Sequence, residues 1–187
     1  MGMWIFLLTE VLLFGMLFLL YSIFRFRYSK EFHASASELD VFLGTANTAI
    51  LITSSFTMAM SIALVRRGNK GLSMLCQAIT IGLGTIFLFN KYFEWGVHIR
   101  HGIYPDSPAL QQMARGRIIF FSLYYVLTGL HGLHVLLGVC VIFGMLVFTA
   151  RDIINRVDFI KLENTGLYWH FVDVVWIYLF PLFYLIT

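Results

Sequence analysis

Five long apolar runs, at residues 3–24, 41–65, 72–97, 117–149 and 165–186, limit this chain to a small set of folds. A hydrocarbon core about 30 Å thick is crossed by about 20 helical residues, and each run reaches that length. Within lipid every backbone N–H and C=O must be satisfied inside the protein, which leaves helices and closed barrels. The alternating apolar and polar strands of a barrel are absent. The sequence therefore predicts an all-α fold, an integral membrane bundle of five transmembrane helices in a single membrane domain over 1–187. Composition agrees: 59% of the 187 residues are hydrophobic and 12% are charged, where soluble domains carry about 25% charge. Soluble globular and disordered classes are both excluded.

The connections, 25–40, 66–71, 98–116 and 150–164, are too short for a second domain. Gly68 and Gly71 bracket a tight link, Pro105 and Pro108 interrupt the third connection, and Pro181 falls near the end of the last run. The fourth run is longer than a bilayer requires, so its helix is expected to tilt or project. No internal repeat is visible, which disfavours a transporter built from inverted halves.

Net charge is +3. Of the thirteen Lys and Arg, all but Lys91 cluster between the apolar runs or at their edges, as membrane loops do, so no nucleic-acid partner is expected. With the N-terminus inside, Arg66, Arg67, Lys70, Arg151, Arg156 and Lys161 would be cytoplasmic. Arg25, Arg27, Lys30, Arg100, Arg115 and Arg117 would lie outside. The dense Arg66–Lys70 hairpin alone tips that tie toward an inside N-terminus. Cys76 and Cys140 lie within apolar runs without C-x-x-C spacing and read as small core residues. No basic n-region or small-residue cleavage site marks the first run as a signal, so it is expected to remain as a transmembrane helix.

Ionisable groups within a bilayer are costly, and each is a functional candidate by default. Glu10 lies two turns into the first helix, and Lys91 and Glu94 near the far end of the third. His131 and His134 lie midway along the fourth, and His170 and Asp173 early in the fifth. At about 1.5 Å per residue, Glu10, His170 and Asp173 fall roughly 8–13 Å from one face, and Glu94 lies near the other. A Glu10–Glu94 carboxylate pair, and with it a di-iron reading, is disfavoured. Glu10 alone reads equally as a proton-holding group or as structural glue between helices. His131 and His134 share one helix face, but no H-x-x-x-H or E-x-x-H ladder supports metal or haem ligation. They read instead as interhelical hydrogen-bonding groups, with Gly129, Gly132 and Gly138 permitting close approach.

His170 and Asp173 are three residues apart and are expected to touch. Lys91 and Glu94, at the same spacing, are expected to form a self-neutralising pair near the interface. Eight aromatics crowd the last run (Tyr168, Trp169, Phe171, Trp176, Tyr178, Phe180, Phe183 and Tyr184) and read mainly as an aromatic belt and lipid contacts. No nucleophile triad, phosphate loop or nucleotide fingerprint is present, so no self-sufficient active site is expected.

The string Thr128-Gly129-Leu130-His131-Gly132-Leu133-His134-Val135, followed by Gly138, resembles a signature of subunit III of haem-copper terminal oxidases. So does Tyr168-Trp169-His170-Phe171-Val172-Asp173-Val174-Val175-Trp176. The stretch Met3-Trp4-Ile5-Phe6-Leu7-Leu8-Thr9-Glu10-Val11 resembles the segment bearing the family's membrane-embedded carboxylate. Ala46-Asn47-Thr48-Ala49-Ile50-Leu51 and Phe93-Glu94 resemble motifs of the next two helices. The matches run in family order along the whole chain. Longer members have seven helices, and this chain begins where their third begins. It therefore resembles the five-helix bacterial forms found in both quinol and cytochrome c oxidases. On this resemblance, headgroup-binding residues carried on the first two helices of longer members are expected to have no counterpart here.

The resemblance implies a non-catalytic subunit of a proton-pumping oxidase, packed against subunit I and accompanied by subunit II. It implies no cofactor in this chain, haem and copper in partner subunits, bound phospholipid, and a role in sustaining proton uptake and active-site stability. Glu10 then corresponds to the family's buried, carbodiimide-reactive carboxylate. Glu94, His131, His134, His170 and Asp173 would support the bundle or its lipid cleft. The implied location is the bacterial plasma membrane, with the N-terminus cytoplasmic and the C-terminus external. Two alternatives remain at this level: an accessory subunit of a nitric oxide reductase, and a stand-alone proton transporter using Glu10 and Glu94. The depth separation of those carboxylates and the missing repeat disfavour the transporter. Electron donor choice is made in other subunits.

Overall fold

The computed structural model describes residues 2–100, 102–104 and 107–186, so Pro105 lies outside the described residues. Helices α1 (Gly2–Arg27), α2 (Ser29–Ala36), α3 (Val41–Arg66), α4 (Lys70–Arg100), α5 (Pro108–Gln111), α6 (Arg115–Ala150) and α7 (Ile160–Tyr184) account for the architecture. Five of them, α1, α3, α4, α6 and α7, are long and apolar enough to cross a membrane. The all-α multi-pass fold is therefore the one the apolar runs imply. At 36 residues α6 reaches about 54 Å at 1.5 Å per residue, well beyond a bilayer core. Helix α7 starts five residues before its apolar run, because the polar turn around Lys161 and Glu163 is helical too, and it retains Pro181 inside.

Two short helices occupy stretches expected to be loops. In α2 the residues Phe32, Ser35 and Ala36, spaced three and four apart, are buried on one side. Pro108 opens α5 at its first position, where its missing N–H costs nothing.

Helix ends follow local chemistry. The carboxylate of Asp40 accepts from the backbone N–H groups of Phe42 (2.9 Å) and Leu43 (3.2 Å), capping α3. At the other end of α3, Gly68 adopts φ +81°, while the Asn69 N–H reaches Leu64 O at 2.9 Å and the Gly68 N–H reaches Val65 O at 2.9 Å. That paired arrangement needs a left-handed residue, which glycine supplies without a Cβ clash. Asp152 plays the same part after α6 at φ 61°. Its carboxylate receives Lys70 Nζ at 2.7 Å, while the same ammonium donates to Ala150 O at 2.9 Å.

The chain divides into two compact units. Unit one comprises Met1–Thr45, Asn90–His131 and Val175–Thr187, and unit two comprises Ala46–Phe89 and Gly132–Val174. Unit one is built on edge-to-face aromatics: Tyr21 with Phe183 (ring centroids 5.1 Å), Phe32 with Phe120 (5.3 Å), Tyr124 with Phe183 (5.4 Å). The Tyr21 hydroxyl donates to Leu182 O. Along α1 the buried residues are Phe14 and Tyr21, while Trp4, Leu12, Met16 and Ile23 point outward, as a lipid-facing or partner-facing surface allows.

Unit two closes around Trp169, which is fully buried. Its indole lies against Gly84 and Gly138, where an added Cβ would come within 2.8 Å of ring carbons. Of the three α6 glycines expected to allow close approach, Gly138 meets Trp169 and Gly129 meets Trp95, but nothing lies within 4 Å of a Cβ at Gly132.

Two readings of side-chain placement need correction. Tyr168, Trp169, Trp176, Phe183 and Tyr184 are buried, so most of the α7 aromatics form core; Tyr178 is exposed as a lipid contact would be. Membrane position and helix face are separate questions, and α7 turns its large rings inward. Cys140 is exposed and Cys76 half-buried. In lipid an apolar residue gains nothing by facing the core, so an apolar run does not say which way its cysteine points.

Candidate functional site

The densest polar cluster lies within unit one, on α4, α6 and α7. Lys91 and Glu94, one turn apart, form the expected pair, with Nζ 2.9 Å from Oε2. Side-chain exposures of 8% and 3% place it inside the protein, so both charges are removed from solvent and lipid alike. Tyr124 of α6 donates its hydroxyl to Glu94 Oε1 at 2.6 Å, and Tyr184 of α7 donates to the same oxygen. Lys91 Nζ also donates to Tyr184 OH at 2.5 Å. The Tyr184 hydroxyl thus accepts a hydrogen bond from the ammonium and donates one to the carboxylate.

The ammonium also sits over the rings of Trp176 (4.7 Å) and Tyr184 (5.0 Å). Each charge has several partners, which a buried ion pair requires if desolvation is not to exceed attraction. Chemically the cluster is a closed, neutral clamp joining three helices.

His131, fully buried, lies 5.3 Å from the Trp176 ring, centroid to centroid. Glu10 is half-buried on α1. The network around Glu94 is assembled from α4, α6 and α7, so the sequence's refusal to join Glu10 with Glu94 leaves Glu94 with other partners.

Unit two carries a different polar system. Hydroxyls of α3 face those of α4: Thr57 and Thr80 are 2.7 Å apart, and Ser73 donates to Ser61 O at 2.9 Å. Gln77 donates to Thr149 Oγ1 of α6 at 3.2 Å. Trp169 Nε1 donates to Ser54 Oγ at 3.1 Å, and Tyr168 OH donates to His134 O at 3.0 Å.

His170 does not take Asp173 as its hydrogen-bond partner. Its Nδ1 shares a 2.6 Å bond with Ser55 Oγ on α3. Asp173, 3% exposed, faces the same Ser55 hydroxyl, but among the described residues neither carboxylate oxygen makes a well-formed hydrogen bond. Spacing of three put both groups on one face; the facing serine then captured the imidazole.

Ser54, Ser55, Tyr124 and Tyr184 escaped sequence reasoning. A signal existed for the hydroxyl seam: Ser54 and Ser61 are seven apart, and Ser73, Gln77 and Thr80 fall at i, i+4 and i+7, each set on one helical stripe. Among the described residues, no three His, Cys, Asp or Glu side chains converge to hold a metal ion.

Residues 1–187 match the family model described as cytochrome c oxidase subunit III. The chain belongs to the cytochrome c oxidase subunit III family. It is 31% identical over its whole length to cytochrome c oxidase subunit 3 of Thermostichus vulcanus, covering 87% of that protein. It is 33% identical, again over its whole length, to the probable quinol oxidase subunit 3 of Staphylococcus haemolyticus, covering 88% of it. Over 99% of the chain it is 32% identical to part of the heme-copper oxidase subunit I+III of Aeropyrum pernix, where it spans 22% of a longer polypeptide. Family membership makes this chain a haem-copper oxidase subunit III that associates with other oxidase subunits. It agrees with the resemblance read from the His131–His134 and His170–Asp173 strings.

Proposed function

We propose that this chain is a non-catalytic subunit of a proton-pumping haem-copper oxidase, packed against subunit I in the presence of subunit II, binding phospholipid, and sustaining proton uptake and the life of the active site. The observation that carries the reading is the full-length relationship to subunit III proteins, joined to a relative named as subunits I and III in one polypeptide. Fusion in that relative keeps the two parts in one polypeptide, which supports their working in one complex. The closed Lys91–Glu94–Tyr124–Tyr184 clamp supports a scaffolding part, because its polar atoms are spent on one another. Haem and copper belong to the partner subunits in this reading. The N-terminus is placed in the cytoplasm and the C-terminus outside, across a bacterial plasma membrane.

The test is purification of the tagged chain in mild detergent with identification of accompanying chains and a reduced-minus-oxidised spectrum. Recovery of a haem-copper catalytic subunit with oxygen-reducing activity is expected, and quinol against cytochrome c assays then name the donor. A chain recovered alone yet carrying haem would overturn the reading. In the same preparation Glu10→Gln should leave assembly and haem content intact. Altered proton uptake or faster turnover-dependent inactivation would give its carboxylate a functional part, and loss of assembly would give it a packing part.

A further inference from the structure

One buried carboxylate in unit two is left unexplained by packing. Asp173 is 3% exposed, and among the described residues its carboxylate faces the Ser55 hydroxyl without a well-formed hydrogen bond to either oxygen. A carboxylate stranded in this way costs stability and is retained where it has work to do. Close by, a groove of about 390 Å³ is lined by Ala59, Ile62, Ala63, Arg66, Arg67 and His170. Its two ends differ. Arg66, ion-paired with Glu163, and Arg67 stand at the end of α3, where the chain leaves the helix. His170 lies at the inner end, level with Ser55, about 17 Å back along α3 from Arg66 at 1.5 Å per residue.

We infer that this groove, His170 and Ser55 form a proton-exchange route connecting Asp173 with the aqueous phase at the Arg66–Arg67 end of unit two. The chemistry follows from imidazole having two nitrogens. Nδ1 is bonded to Ser55, which leaves Nε2 for water in the groove. In the tautomer with hydrogen on Nδ1, Ser55 accepts from the ring and its own proton is free to point at Asp173. A hydronium ion in the groove gives a proton to Nε2. The Nδ1 proton moves to Ser55 Oγ, and the Ser55 proton moves to a carboxylate oxygen of Asp173. Hydronium becomes water, carboxylate becomes carboxylic acid, and charge balances; the reverse sequence empties the site. The charged and titratable groups facing the route are Arg66 at the end of α3, Arg67 just after it, and His170 with the Arg66-bound Glu163 from α7. The route involves neither Glu10 nor any cofactor, so it stands or falls separately from the function proposed above.

The experiment is infrared spectroscopy of the chain purified with its accompanying subunits, following the carboxyl band after transfer to heavy water. Asp173→Asn identifies the band by removing it, and Asp173→Glu shifts it if the amide does not fold. Wild-type exchange should be complete, while Ser55→Ala should slow it about a hundredfold, the low end of what a positioned proton-transfer group supplies. His170→Phe should slow it similarly. Ser55→Thr, which keeps the hydroxyl, should restore the wild-type rate; a merely structural serine would not separate Ala from Thr in this way. Equal rates in wild type and Ser55→Ala would overturn the inference. So would a wild-type carboxyl that never exchanges, the result expected if an acyl chain fills the groove and keeps it dry.

Discussion

Units one and two solve the problem of polar groups in an apolar protein in opposite ways. Unit one concentrates them: an ammonium, a carboxylate and two phenols from three helices close on one another, with Lys91 and Glu94 each held by more than one partner. Unit two disperses them along a seam of small polar contacts, Ser54, Ser55, Thr57 and Ser61 on one helix and Ser73, Gln77 and Thr80 on the next, and among the described residues leaves Asp173 without a well-formed hydrogen bond. Concentrated charge gives strong coupling and fails severely when one member is lost. Dispersed hydroxyls are individually weak and replaceable, which is where a solitary titratable group can be tolerated.

The largest effect that tests this contrast is Glu94→Ala, which strands Lys91 and should cost about 3–5 kcal/mol of unfolding free energy. Denaturant-induced unfolding in detergent measures it. Adding Lys91→Met should recover much of the loss, and strict additivity of the two changes would break the description of a coupled clamp. Next, Gly138→Ala places a Cβ against Trp169 and should destabilise by about 2 kcal/mol, as overpacking does in a filled core. Ser54→Ala leaves the buried Trp169 N–H unpaired and should cost about 1 kcal/mol, read from the same unfolding curves. Thr57→Val removes one seam contact to Thr80 and should cost only about 0.6 kcal/mol, typical of interhelical hydroxyl bonds. A loss at Thr57 as large as that at Glu94 would abolish the distinction between the two units.

The five spans were legible because bilayer thickness imposes a length on any apolar run that crosses it. The short helix α2 was not, since eight residues with three buried leave too little periodic signal above a charged background. At the site, Lys91 and Glu94 could be paired from spacing alone, because one turn of helix fixes their separation. Tyr124 and Tyr184 could not, because they meet Glu94 from 30 and 90 residues away, and only the rotation of α6 and α7 brings them there. The His170–Asp173 contact was legible as a shared face but not as a bond. Which of two neighbours an imidazole chooses depends on the hydroxyl opposite, and Ser55 is an inconspicuous letter in an apolar run.

The clamp also has a schedule. Lys91 and Glu94 leave the ribosome with α4, but the phenol that bridges them is 93 residues further along. At 5–20 residues per second, synthesis leaves the pair without Tyr184 for roughly 5–20 seconds. The tie between Tyr21 and Leu182 waits longer still, with 161 residues between its partners. Throughout that interval the clamp lacks one of its two phenols. Tyr184 and Leu182 both belong to α7, so completion of the last helix supplies the missing partner of each contact.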